Sequence, residues 1–275
     1  MGGQEREHME NCRFSVIVVC LNAGKKLEQT VGSIWKQTYA NYEILVKDGG
    51  SRDGSIEALS EQAKDRDRLK LISEADGGIY EAMNQAILHA TGDYVLFLNC
   101  GDSFASDDVL EKTAAYIQDN QGKGIYYGDT FWEQTGVTAM APKSITPFIC
   151  YRNIPCHQSC FYERALFAEK SYDAVYRIRA DYDHFLWCVL KRGISPAYMG
   201  FTVASYEGGG FSESKENKKK SKIEHKKITG SYLSKKQLLC YRAYMICSLA
   251  PLRRWMAESK TFSGMYQKLK ARWYG

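Results

Sequence analysis

The sequence predicts an α/β domain with a mostly parallel central sheet flanked by helices, followed by a basic helical C-terminal extension. Short β-branched runs alternate with helix-spaced segments through roughly the first 100 residues, the signature of successive βαβ units. Three of the apolar runs are followed by an acid among small residues: Asp48-Gly49-Gly50, Asp76-Gly77-Gly78 and Asn99-Cys100-Gly101-Asp102. Positive charge gathers at one end, with 16 Lys and Arg against 5 acids over residues 201–275, and 21 against 27 over residues 1–200.

Phe14-Ser-Val-Ile-Val-Val-Cys20 reads as a central strand, because a nearly unbroken β-branched run suits a parallel sheet covered on both faces. Leu21-Asn22-Ala23-Gly24 breaks it. Leu27, Val31, Ile34 and Trp35 then recur at helical spacing and predict a helix over residues 25–37. The run Ile44-Leu45-Val46-Lys47 is the second strand, and a helix over residues 55–64 follows, with Asp53 or Ser55 as its cap. Leu69 to Ser73 is the third strand, and Tyr80, Met83, Ile87 and Ala90 mark the third helix. Thr91-Gly92-Asp93 closes that helix and opens the strand Tyr94 to Asn99. A later apolar stripe of Phe185, Leu186, Val189 and Leu190 predicts a helix over residues 181–191.

Right-handed crossovers place the ligand crevice beyond the carboxyl ends of these strands, where the acids lie. The glycine pairs fit neither G-x-G-x-x-G nor the P-loop, which disfavours NAD binding and P-loop ATP hydrolysis. A chain of 275 residues with 44% hydrophobic and 25% charged residues is ordinary for a globular protein, so no disordered class is suggested. The nine cysteines follow no disulfide spacing, and Cys156-His157-x-x-Cys160 lacks a second pair of ligands for zinc, so the thiols are expected to be reduced and cytosolic. Residues 1–13 are polar and give no sign of a secretory leader.

Five blocks in order resemble glycosyltransferase family 2, the inverting enzymes of the GT-A fold. They are Val16-Ile-Val-Val-Cys-Leu-Asn22, Val46-Lys-Asp-Gly-Gly-Ser-Arg-Asp-Gly-Ser55, Ser73-Glu-Ala-Asp-Gly-Gly-Ile-Tyr-Glu-Ala-Met-Asn84, Gly92-Asp-Tyr-Val-Leu-Phe-Leu-Asn-Cys-Gly-Asp102 and Ala180-Asp-Tyr-Asp183. The resemblance implies a GT-A domain over residues 12–212 and leaves residues 213–275 as the extension. It implies a nucleoside diphosphate sugar donor, UDP-linked in preference to GDP or dTDP, and a glycan or lipid-linked acceptor of surface polysaccharide assembly. Asp102 is the implied metal ligand for Mn²⁺ or Mg²⁺, although Asn99 and Gly101 stand where many members have aspartates. Asp48 matches the aspartate that accepts from the base ring, a role a carboxylate suits. Asn22, Asp76, Asn99 and His157 are the further implied donor contacts, and Gly77 replaces a residue that is commonly basic.

Asp181 matches the catalytic base, with Ala180 replacing the usual acid before it, and the helix dipole favours its ionised form. Plainer readings stand beside these: Asp48 as a turn former, Asp102 and Asp181 as helix caps, and His157 as a core residue. The loop Glu207-Gly-Gly-Gly-Phe-Ser212 reads as a lid or as a linker. The lysine runs at 218–220 and 222–227, followed by aromatics beside cations, suit a helix at an anionic membrane surface, or one packed on the body or on a second subunit. The expected location is cytoplasmic, peripheral at the inner face of the cell membrane, with self-association allowed and no nucleic acid partner. A non-catalytic nucleotide-sugar-binding scaffold with a degenerate metal motif is the alternative. A sugar nucleotidylyltransferase is disfavoured because Leu21-Asn22-Ala23-Gly24 is not its basic glycine-rich loop.

Overall fold

The computed structural model describes residues 12–209 and 214–248. In chain order its elements begin with β1 (Phe14–Cys20), α1 (Lys25–Trp35), β2 (Tyr42–Asp48), α2 (Ser55–Gln62), β3 (Leu69–Ser73), α3 (Ile79–Ile87) and β4 (Tyr94–Asn99). The middle of the chain adds β5 (Ser103–Phe104), α4 (Val109–Asp119), β6 (Ile125–Trp132), β7 (Val137–Ala139), α5 (Pro147–Arg152), a 3₁₀ turn (His157–Ser159), β8 (Cys160–Glu163) and α6 (Ala165–Glu169). It closes with α7 (Ala180–Leu190), β9 (Ala197–Tyr206), α8 (Lys215–Tyr232) and α9 (Lys235–Cys247).

The strands form one sheet in the order β3-β2-β1-β4-β8-β6-β9-β5, with β7 paired to β6. The first four are parallel, as the alternation of strands and helices predicts. Beyond β4 the sheet is mixed: β8 runs antiparallel to both β4 and β6, whereas β9 is parallel to β6. Chain reversal between β3-β2-β1 and β4 sets the switch point beside the carboxyl end of β1, where an open α/β sheet has its crevice.

Burial follows the two-residue period of the strands. Val16, Val18, Ile44, Val46, Leu96 and Leu98 share one core with Leu27, Val31, Ile34, Leu110 and Ile117 of α1 and α4. The alternate residues Ile17, Leu45 and Phe97 are equally buried and lie outside that cluster, while α3 packs on β1 and β2. Full burial of such a side chain contributes about 1.5–3 kcal/mol, and the covered parallel strands combine many of them.

Helix α1 stops short of Gln37, where the backbone tightens to Gln37 N–Ile34 O at 3.1 Å and Thr38 N then donates to Asp107 O at 2.8 Å; the Gln37 side chain fastens the same segment, its Nε2 donating to Ser106 O at 2.8 Å and its Oε1 accepting from Leu110 N at 3.0 Å. Gly92 is required by close approach, since a Cβ there would lie 2.6 Å from Ser15 N. Deep under α7, His184 stacks on Phe167 at 4.3 Å and burial pushes its pKa down to about 3, so it is a neutral core ring.

The chain divides into two compact units, residues 1–225 and 226–275, and the break falls within α8. In the second unit, Ser234 and Gln237 form a capping box at the start of α9. No helix among the described residues is long and apolar enough to cross a membrane. Residues 210–212 of the glycine loop at 207–212, together with Arg253-Arg254-Trp255 and residues 268–274, lie outside the described residues.

Candidate active site

The site grows from the carboxyl ends of β1, β2 and β4. At the end of β2, Asp48 is 2% exposed and organises its own turn: Oδ1 accepts from Ser51 Oγ at 2.6 Å and from Ser51 N at 3.0 Å, while Oδ2 accepts from Gly50 N and Ser73 Oγ at 3.1 Å each. Burial alone would raise its pKa; the donors from Ser51, Ser73 and Gly50 outweigh it and hold the carboxyl below its ordinary value. Asn22, in the left-handed region at φ 50°, ties the β1 loop to this turn. Its N–H donates to Ser51 Oγ at 2.8 Å and its Oδ1 accepts from Arg52 N at 2.9 Å. A second tie runs from Gly24 N to Asp53 Oδ2 at 2.8 Å.

Asp76 is drawn toward the sheet by Lys47, whose side chain is fully buried. Lys47 Nζ lies 3.0 Å from Asp76 Oδ2 and also donates to the carbonyls of Asp48 and Glu74. Asp76 Oδ1 accepts from Gly78 N at 3.1 Å. One ammonium thus fixes both the Asp48 turn and the Glu74–Gly78 loop, a role that the bare sequence of β2 does not signal.

At the end of β4, Asp102 is 3% exposed. Gln158 Nε2 donates to its Oδ2 at 2.8 Å, and Glu207 N donates to its Oδ1 at 3.2 Å. Burial raises its pKa, and these two hydrogen bonds only partly oppose that rise. Among the described residues it has no cationic side chain within ion-pair distance. Gly101 sits at φ 99°, a conformation that side-chain-bearing residues rarely adopt, and a Cβ there would also oblige the flexible Glu207 carboxylate, 2.2 Å away, to move. Glu207 itself pairs with Lys26 of α1 at 2.5 Å.

Asp181 lies in the first turn of α7, its side chain 18% exposed. Tyr80 of α3 places its hydroxyl 2.7 Å from Oδ1, and His157 Nδ1 lies 3.4 Å from Oδ2. Burial acts to raise the pKa of Asp181, but His157 and Tyr80 prevail and lower it, so the carboxylate is ionised at neutral pH. His157 Nε2 in turn lies 3.3 Å from Asn99 Nδ2, and Asn99 Oδ1 is buried without a protein partner. The start of α7 is held from α8: Glu224 accepts from the N–H groups of Arg177, Ile178 and Arg179 at 3.0, 3.1 and 2.9 Å, and His225 stacks on Tyr182 at 5.2 Å.

The model of the glycosyl transferase family 2 matches residues 15–176, more than half of the chain. The chain belongs to glycosyltransferase family 2. Consistent with that membership, it is 35% identical over 202 residues to a PGL/p-HBAD biosynthesis glycosyltransferase of Mycobacterium bovis (strain BCG / Pasteur 1173P2), covering 72% of this chain and 78% of the relative. Solved structures share the fold at low identity. S. aureus TarS 1–349 in complex with UDP aligns with TM-score 0.67 at 18% identity, over 90% of this chain and 75% of that one. The mannosyltransferase PcManGT of Pyrobaculum calidifontis, in complex with GDP-Man and Mn²⁺, aligns with TM-score 0.61 at 18% identity, over 94% and 80%. In another TarS 1–349 structure the chain spans 60% of that chain.

The family 2 fold brings Asp102, Asn99, His157 and Asp181 into one hydrogen-bonded neighbourhood. Asp48, Asn22 and Asp76 lie in the loops after β2, β1 and β3 and are bound into those loops by the contacts above. Sequence reasoning had no role for Tyr80, Lys47 or Glu224, and took Gln158 only as the companion of His157 in a His-Gln pair near the sugar site. Tyr80 lay within a recognised block, and Gln158 was visible as the neighbour of His157.

Proposed function

We propose that this family 2 enzyme is an inverting, metal-dependent transferase that moves one sugar from a nucleoside diphosphate sugar, UDP-linked by preference, to a glycan or lipid-linked acceptor in surface polysaccharide assembly. The observation that carries this reading is the pair of carboxylates beside the sheet's carboxyl edge with opposite electrostatics: Asp181, contacted by Tyr80 and His157, is held below its ordinary pKa, whereas Asp102, 3% exposed and in no direct ion pair among the described residues, is raised by burial. A single displacement needs one base. Asp181 takes the acceptor hydroxyl proton as that oxygen bonds to the anomeric carbon, and the bond to the diphosphate breaks with its electron pair leaving on the phosphate.

The donor set around Asp102 suits a hard divalent cation that brings most of its own ligands. Among the described residues no group of three His, Cys, Asp or Glu forms a cage, but one buried carboxylate and the orphaned Asn99 Oδ1 are oxygen donors of the appropriate kind. When bound, Mn²⁺ or Mg²⁺ would neutralise charge developing on the leaving diphosphate. Support for the donor class comes from the neighbours, which hold UDP, UDP-GlcNAc or GDP-Man.

The test is a thermal-shift and hydrolysis panel of UDP-, GDP- and dTDP-sugars with Mn²⁺, Mg²⁺ or EDTA. One donor family should raise the melting midpoint through preferential binding to the folded state, and Asp102→Asn should remove the metal-dependent part of that rise. A full shift in EDTA, or an unchanged Asp102→Asn response, defeats metal dependence. Metal-dependent binding without turnover under any acceptor condition favours the scaffold alternative.

Membrane contact through the extension rests on the charge of α8, where Lys218, Lys219 and Lys220 are exposed beside Ile223, itself 63% exposed. The chain should co-sediment with phosphatidylserine vesicles at low salt and be released at high salt. Equal behaviour with neutral vesicles removes the proposal.

A further inference from the structure

His157 and Gln158 are neighbours in a three-residue 3₁₀ turn, and their side chains reach two different acids. His157 spans the gap between Asp181 of α7 and Asn99 of β4. Gln158 is 2% exposed and donates to Asp102. The direction of the Gln158 amide follows from its other end, where Oε1 accepts from Cys156 Sγ. Burial lifts the Cys156 thiol to about 12, so it remains an S–H donor at neutral pH and leaves Nε2 to face Asp102.

The turn is itself anchored. Ser159 is fully buried, with its Oγ 2.7 Å from Thr130 Oγ and 3.0 Å from Asp129 O on β6, and its N–H donates to Cys156 O at 2.9 Å. Both arms therefore project from a base locked to the centre of the sheet rather than from a free loop.

We propose that His157 and Gln158 form a two-armed clamp fixing the spacing of the base and the metal-binding carboxylate, His157 positioning Asp181 for transfer and Gln158 positioning Asp102 for the donor and its cation. Neither is a catalytic residue; each acts through an acid. The proposal rests on the functional reading above and adds a division of labour between adjacent residues. Losing the His157 arm leaves Asp102 and its bonds from Gln158 and Glu207 intact and takes from Asn99 only one long contact at 3.3 Å, so the chemical step should suffer far more than ground-state binding. Losing the Gln158 arm frees Asp102 to rotate, and supporting groups of this sort change metal affinity by about 10–100-fold.

The test uses the full-length chain with the nucleotide sugar it turns over best. Donor kcat and KM are measured together with Mn²⁺ affinity in the presence of the nucleoside diphosphate, by electron paramagnetic resonance. His157→Ala should lower kcat at least tenfold, with KM and Mn²⁺ affinity within about threefold of wild type. His157→Asn, whose amide nitrogen can stand in for Nδ1, should recover part of that loss. Gln158→Ala should weaken Mn²⁺ affinity about 10–100-fold while kcat at saturating donor and metal stays within about threefold. Gln158→Glu keeps the size but turns a donor into a repelling acceptor, and should weaken Mn²⁺ affinity further.

Equal losses of kcat and affinity in both residues, or no loss in either, would overturn the clamp. So would a fall in melting midpoint that accounts for the activity loss in the isosteric variants as well as in the alanines. If the wild-type chain binds Mn²⁺ and nucleotide but turns over no donor, the transfer reading fails first; the Gln158 arm then stands or falls on metal affinity alone.

Discussion

Asp181→Asn is expected to lower kcat for sugar transfer by about 10²–10⁴-fold, the range for loss of a positioned general base, while donor affinity and melting midpoint stay near wild type. Asparagine keeps the shape and can still accept from Tyr80, but it cannot take a proton. The hydrogen bonds around Asp181 also predict its pH behaviour. With its pKa lowered by His157 and Tyr80 against the pull of burial, the base is charged at neutral pH and loses activity only when pH falls below the ordinary carboxylate range. The acid limb of kcat should therefore lie at lower pH than for an unperturbed aspartate, unless the protein unfolds first. Steady-state transfer assays from pH 4 to 9, with folding followed by circular dichroism, should show no acid limb down to pH 4 while the chain stays folded; a limb above pH 4 in folded protein would contradict the lowered pKa. An Asp181→Asn variant retaining more than a tenth of wild-type kcat would remove Asp181 as the base.

Lys47→Met should destabilise the fold by about 3–5 kcal/mol, the usual consequence of breaking a buried pair from one side. The side chain of Lys47 is fully buried and that of Asp76 is 12% exposed, so water can replace little of what the ammonium supplies. Methionine matches the length but removes the ammonium from Asp76 Oδ2 and from the Asp48 and Glu74 carbonyls, leaving Asp76 only its bond from Gly78 N and Asp48 O only that from Glu74 N. Urea denaturation gives the size, and Asp76→Asn completes a double-mutant cycle. The double variant should be markedly less destabilised than the sum of the two singles, because removing the carboxylate removes the stranded charge. Additive effects would mean that the pair does not act as a unit, and a change below about 1 kcal/mol would mean that the site relaxes around methionine.

The strands of the parallel half were legible because their periodicity and their turns agreed. Phe14–Cys20, Leu69–Ser73 and Tyr94–Asn99 occur as read: the first is a β-branched run buried along its whole length, the third an apolar run buried from Val95 to Leu98, and Leu69–Ser73, a mostly exposed edge strand, is bounded by its turns. The mixed half was not. Strands β6 to β9 are short or irregular, and β9 shifts register against β6 near Asp129, so no clean two-residue pattern marks them. Within the site, the acids announced themselves by ending apolar runs, whereas their partners did not. Gln158 meets Asp102 across 56 positions, Tyr80 meets Asp181 across 101, and Glu224 reaches Arg179 across 45. Such pairings are set by how the sheet folds back on itself, and neither local propensity nor motif spacing encodes them. Gly101 is the converse case: the departure from the common aspartate was visible, but the left-handed backbone that favours glycine there, φ 99°, shows only in the fold.

The grip of Glu224 on the backbone before α7 changes how the lysine-rich helix should be regarded. A chain stopped ahead of Lys215 would surrender to water three peptide N–H groups immediately upstream of Asp181, the proposed base, and would strip the imidazole of His225 from Tyr182. What resembles a detachable appendage in the primary structure is, over its first three turns, scaffolding for the start of α7.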